Sequence, residues 1–86
     1  MFDVFDMAYR DGYLAVKMLN EIKAENDPYM FFGLMVSQAL RKYDMRTGVK
    51  EKRVLFELSR LDMQMKSSTV DPWMLISSFL LQVSSL

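Results

Sequence analysis

The chain has 86 residues, a hydrophobic fraction of 51% and a net charge of zero from 11 basic and 11 acidic side chains. That length makes one domain with a small core, and with neither Cys nor His the chain has no disulfide, no thiol chemistry and none of the common zinc ligand sets. The apolar fraction excludes a disordered chain, and the longest uncharged runs, Pro28–Leu40 and Pro72–Leu86, fall short of the about 20 residues that cross a bilayer.

Helical punctuation is visible throughout, and almost nothing reads as strand. The first helix is expected at about Phe2–Tyr9, with Phe5, Ala8 and Tyr9 turned inward. Asp3, Asp6 and Asp11 give this end none of the basic-then-apolar character of a secretory leader, so a cytoplasmic protein is expected. Asp11-Gly12 breaks the helix, and a second follows at about Tyr13–Glu25. Its apolar residues fall at Leu14, Met18 and Ile22, with a parallel row at Ala15 and Leu19, which is amphipathic spacing. Asn26 ends it.

Asp27-Pro28 marks the third start, since Asp caps the free amides of a first turn and proline gives up an N–H that is not needed there. This helix, Pro28–Met45, opens with Tyr29-Met30-Phe31-Phe32 and continues through Leu34, Met35 and Val36. Its first half is apolar on every side, so it should be central, or sandwiched between the core and a partner. Thr47-Gly48 separates it from the fourth helix, about Val49–Lys66. There Val54, Leu58, Leu61 and Met65 form a stripe, Arg53, Glu57, Arg60 and Gln64 should be wet, and Phe56 and Met63 form a second apolar row beside the stripe. After Ser67-Ser68-Thr69, Asp71-Pro72 starts the fifth helix, Pro72 to about Val83, carrying Trp73, Ile76, Phe79, Leu80 and Val83. The expected fold is all-α: one domain over residues 1–86, an antiparallel bundle of about five helices with short loops.

Residues that carry chemistry are scarce. The three glycines are far apart, so no phosphate loop can form, and without His a serine triad has no base. Asp3 and Asp6 are the nearest pair of carboxylates, and they complement the dipole of a first turn. Glu57 with Arg60, and Asp62 with Lys66, have ion-pair spacing that supports a helix. Of the nine methionines, Met18, Met35 and Met65 fall on inward stripes, while Met30, Met63 and Met74 do not. Neither catalysis nor a cofactor, metal or small-molecule substrate is expected. Charge is uneven: Met1–Asp27 has a net of −3 and Arg41–Arg53 a net of +4, making Arg41, Lys42, Lys50, Lys52 and Arg53 weak candidates for phosphate contact. With zero net charge, nucleic acid is not expected as the main partner.

The order of segments resembles the C-terminal helical (collar) domain of the delta subunit of the bacterial DNA polymerase III clamp loader. The likeness rests on Phe5-Asp6, then Asp11-Gly12, then Ala15 and Leu19, on a Pro28-initiated apolar helix reaching Gln38 and Arg41, and on the two last helices. There Leu55-Phe56-Glu57-Leu58-Ser59-Arg60-Leu61-Asp62 leads through Lys66, Ser67-Ser68-Thr69 and Asp71-Pro72-Trp73 to a leucine-rich end. The resemblance implies a collar module in DNA replication that packs helix faces against other clamp-loader-type subunits. It does not extend to clamp opening, because the ATPase-like domains are absent.

Three functions are therefore set against each other. The first is an oligomerising collar-type domain, through other subunits or self-association. The second is a stand-alone adaptor taking a peptide or partner helix in a groove lined by Met and Phe. The third is a nucleic-acid contact through Arg41–Arg53. For the first two, Phe56, Met63, Trp73 and Phe79 are the candidate partner-facing residues.

Overall fold

A computed structural model describes residues 4–42 and 49–85, with the backbone alone for 49–51. Five α-helices make an all-α bundle among the described residues: α1 (Val4–Arg10), α2 (Gly12–Ile22), α3 (Pro28–Lys42), α4 (Val49–Ser67) and α5 (Pro72–Val83). A 3₁₀ turn, Lys23–Glu25, continues α2 where a longer helix was expected. The expected start of the first helix at Phe2 and the end of the third at Met45 lie outside the described residues.

Aspartate sets three of the helix starts. Asp71 Oδ1 accepts from the Trp73 amide at 2.9 Å, and Asp27 Oδ1 from the Tyr29 amide at 2.7 Å, as the two Asp-Pro pairs lead one to expect. Asp11 does the same work for α2, accepting from the amides of Tyr13 and Leu14 at 3.1 and 3.2 Å. What reads as a break between helices is thus an N-cap, and α2 begins one residue earlier than expected, at Gly12.

The last helix is the hub of the bundle. Along α5, Ile76, Phe79, Leu80 and Val83 are all buried, and α1, α2, α3 and α4 all pack on it. On α4 the buried residues include the whole expected stripe of Val54, Leu58, Leu61 and Met65. On α2 it is the parallel row, Ala15 and Leu19 with Gly12, that goes inward; of the first row Leu14 is exposed, and Met18, expected on an inward stripe, and Ile22 are half-buried. Small residues let two helices approach closely, so the slim face of α2 lies against α5 and the bulkier row is displaced outward.

One polar side chain belongs to this core. Gln38 of α3 is buried, and its Oε1 accepts from the Val4 amide at 3.2 Å, capping the first turn of α1 from another helix. Replacing it by leucine removes the acceptor while filling the same space. Gln38→Leu is expected to destabilise by about 1–3 kcal/mol, the cost of stranding a buried donor. A urea titration should find a lower midpoint with an unchanged slope; an unchanged midpoint would mean that the bond is dispensable.

Candidate functional site

The expected partner-facing residues do not form one patch. Phe79 is 4% exposed and its ring meets that of Phe5 edge-on, with centroids 6.3 Å apart. It is a core residue and presents no surface to a partner, which corrects its placement on a candidate interface. Trp73 is half-buried, its ring 5.7 Å from that of Phe31, so it pins α5 to α3. Phe56 and Met63 are 62% and 67% exposed.

Those last two do not lie beside the buried stripe of α4, as expected, but across the helix from it. The reason is geometric. At 100° per residue, Phe56 is two positions and about 200° beyond Val54, and Met63 stands in the same relation to Leu61. Both project outward as a ridge one heptad long, beside the exposed Lys52, Arg53 and Arg60.

The candidate phosphate contacts are also dispersed. Lys42 forms an ion pair with Asp6, tying the end of α3 to α1. Arg41, Lys52 and Arg53 are exposed, and the side chain of Lys50 lies outside the described residues.

An open groove lies between α3 and α4; sequence reading expects a groove lined by Met and Phe, but among the described residues Phe32 is the one such side chain on its walls, and none of the expected partner-facing residues lines it. Both helices pack on α5 but have few contacts with each other. At one end the Tyr29 hydroxyl reaches toward the Met65 carbonyl oxygen at 3.5 Å. Beyond it the helices leave an open groove of about 420 Å³, walled by Phe32, Val36, Ala39 and Leu40 on α3 and by Leu55, Leu58, Ser59 and Asp62 on α4. Leu40, at the far end of the α3 wall, is 70% exposed.

The local sequence explains both walls. Phe32, Val36 and Leu40 recur every four residues beside the buried row of Phe31 and Met35, so α3 has a second apolar row that its packing on α5 leaves uncovered. On α4, Leu55 follows Val54 by about 100°, which turns it from the core toward α3. Among the described residues the polar wall residues are Ser59 and Asp62, and Asp62 accepts from Lys66 at 3.1 Å. By contrast, the cleft between α4 and α5 is bordered by Glu57, Arg60, Gln64, Ser78 and Gln82, with Arg60 3.3 Å from Glu57.

The α3/α4 groove can hold apolar matter by exclusion of water. Among the described residues no three of Asp, Glu, His and Cys gather to hold a metal ion, and no helix is long and apolar enough to cross a membrane. Comparison with known proteins finds no matching family model, curated protein or solved structure.

Proposed function

We propose that this chain is a non-catalytic assembly module that seats a helix of another protein in the α3/α4 groove. The observation that carries this reading is the gap itself, two helices laid on α5 with apolar residues facing across it and Leu40 open to water. From Phe32 to Leu40 the wall is about 12 Å long, room for two to three turns of an amphipathic helix. Such a helix would anchor itself through residues at i, i+3 or i+4, and i+7. Covering Leu40 alone is worth about 1–2 kcal/mol. The all-round apolar character of α3 supports the same reading, because a helix placed between the core and a partner needs two apolar faces.

The narrower reading, a clamp-loader collar module in DNA replication, rests on the order of segments and the Asp-Pro starts. Within it, the groove and the Phe56/Met63 ridge are the faces that other subunits would cover. The cytoplasmic setting expected from composition belongs to the same proposal.

Two measurements test the assembly reading. Light scattering across a concentration series should give a monomer throughout, because the groove awaits a different protein; a dimer would transfer the reading to self-association. A photo-crosslinking residue at Leu40 or Leu55 should trap a discrete partner in cells, while the same residue at Tyr13, exposed on α2, should not. Leu40→Glu should abolish the Leu55 crosslink while moving the melting temperature by only a few degrees, as an exposed site allows. Equal trapping at all three positions would sink the groove as the docking site.

A further inference from the structure

We propose that the outward ridge of α4 rests on an anionic lipid surface, with Phe56 and Met63 entering the headgroup layer and Lys52 and Arg53 meeting the lipid anions on either side. This goes beyond the groove reading and does not rest on it.

Phe56 and Met63 are 62% and 67% exposed and stand about 10 Å apart along α4, on the side opposite its buried stripe. At 100° per residue, Lys52 falls about 40° to one side of Phe56 and Arg53 about 60° to the other. Both are exposed and make no ion pair among the described residues. A base on each flank can lay its long stem along the apolar ridge while its charge stays among the headgroups.

The acids described on α4 are turned away from this ridge. Glu57 borders the cleft toward α5 and Asp62 the groove toward α3, each about 100–120° around the helix from Phe56. Each is already paired, Glu57 with Arg60 at 3.3 Å and Asp62 with Lys66 at 3.1 Å. Over Lys52–Ser67, where side chains are described, four bases therefore stand against two acids.

The neighbouring helices do not offset that balance. Helix α3 has no acid from Pro28 to Lys42, and α5 has no charged residue at all. Asp71, just before α5, is taken up in capping it. Asp6, Asp11, Glu21, Glu25 and Asp27 fall on α1, α2 and the turns beside them. Helices α2 and α4 both pack on α5 with few contacts to each other, so the uncharged hub separates an acidic side from a basic one. An anionic surface orients such a molecule with α4 foremost, although the whole chain is neutral.

Shape selects a bilayer among anionic partners. A protein must bring a hollow cut to fit the ridge, whereas lipid headgroups part around one. The phosphates of a nucleic acid would meet Lys52 and Arg53 but leave Phe56, which lies between them, against a polar backbone.

The test is co-sedimentation of the purified protein with vesicles of phosphatidylserine and phosphatidylcholine in equal parts, and with vesicles of phosphatidylcholine alone. At low ionic strength, binding to the anionic vesicles should be about thirty-fold stronger, the factor that two bases near such a surface supply. Added salt should shrink that ratio. Lys52→Glu/Arg53→Glu should erase it, and Phe56→Ser/Met63→Ser should weaken binding to both vesicles while leaving the ratio in place. Tyr13→Ser, on the exposed side of α2, should bind as the wild type does. Equal binding to the two vesicles, or binding to neither, would overturn the inference and leave the groove standing, because the Leu55 crosslink tests the groove separately. An anionic preference that survives Lys52→Glu/Arg53→Glu would overturn it as well. Tighter binding to a DNA duplex, or to a helical peptide with Glu beside its leucines, lost in Phe56→Ser/Met63→Ser, would replace the lipid with that partner.

Discussion

Phe79→Ala is expected to destabilise the protein by about 3–5 kcal/mol, the usual range for truncating a buried aromatic. Phe79 is 4% exposed on the hub helix, and its ring stands at 87° to that of Phe5, itself fully buried on α1. Truncation would remove the burial of the ring and leave a cavity against Phe5. It would also end an edge-to-face contact worth about 0.5–1.5 kcal/mol beyond area. A domain of this length has a total stability of about 4–13 kcal/mol, so the loss is a large share of what holds it folded. Urea titration should show the midpoint falling steeply, to the point where part of the population is unfolded in buffer. Phe79→Leu is the control, because it keeps most of the volume and loses mainly the ring contact; about 1–2 kcal/mol is expected for it. Were Phe79→Ala to leave the midpoint unchanged and weaken only the binding of a partner, Phe79 would be an interface residue after all.

That contrast shows where a one-dimensional pattern stops. The stripe of Val54, Leu58, Leu61 and Met65 was legible because four consecutive contacts at spacings of three and four admit one face, and all four are buried. The Asp-Pro starts were legible because capping is local chemistry, decided within four residues. On α2 the two candidate rows, Leu14, Met18 and Ile22 beside Ala15 and Leu19, are equally periodic, and periodicity alone does not choose between them. Packing distance decides for Gly12, Ala15 and Leu19, and that distance is a property of α5.

The site was legible to the same limit. That α3 has apolar residues to spare could be read from Tyr29 to Val36. That its second row would face Leu55 across an open gap could not, because it depends on how α3 and α4 each sit on α5, which follows both in the chain. Gln38 is a further case. A glutamine on the third helix carries no sequence signal of capping the first, since its acceptor role depends on where the Val4 amide falls.

The glycines of α2 and α3 are expected to respond differently to substitution. A Cβ added at Gly12 would lie 3.3 Å from the Leu81 Cα, 3.3 Å from the Ser84 Oγ and 3.4 Å from the Leu80 carbonyl oxygen. Two of those three atoms are α5 backbone, which cannot rotate out of the way as a side chain would. Gly12→Leu must therefore push α2 away from the hub, and about 1–3 kcal/mol of destabilisation is expected. Gly12→Ala meets the same contacts with one methyl group, and its gain in helix propensity works against a smaller displacement. It should fall close to the wild type. Gly33 has nothing within 4 Å of an added Cβ and sits in the interior of α3, exposed. There the propensity term acts alone, and Gly33→Ala should stabilise by about 0.5–1 kcal/mol. Thermal melts of the three variants give the comparison directly, since about 1 kcal/mol moves the midpoint by about 4–8 °C in a domain of this size. Adding Ser84→Ala to Gly12→Leu should recover only part of the loss, because the Leu81 and Leu80 backbone contacts remain. Full recovery would make the serine hydroxyl the obstacle, and no loss in Gly12→Leu would mean that α2 does not lie against α5 at this distance.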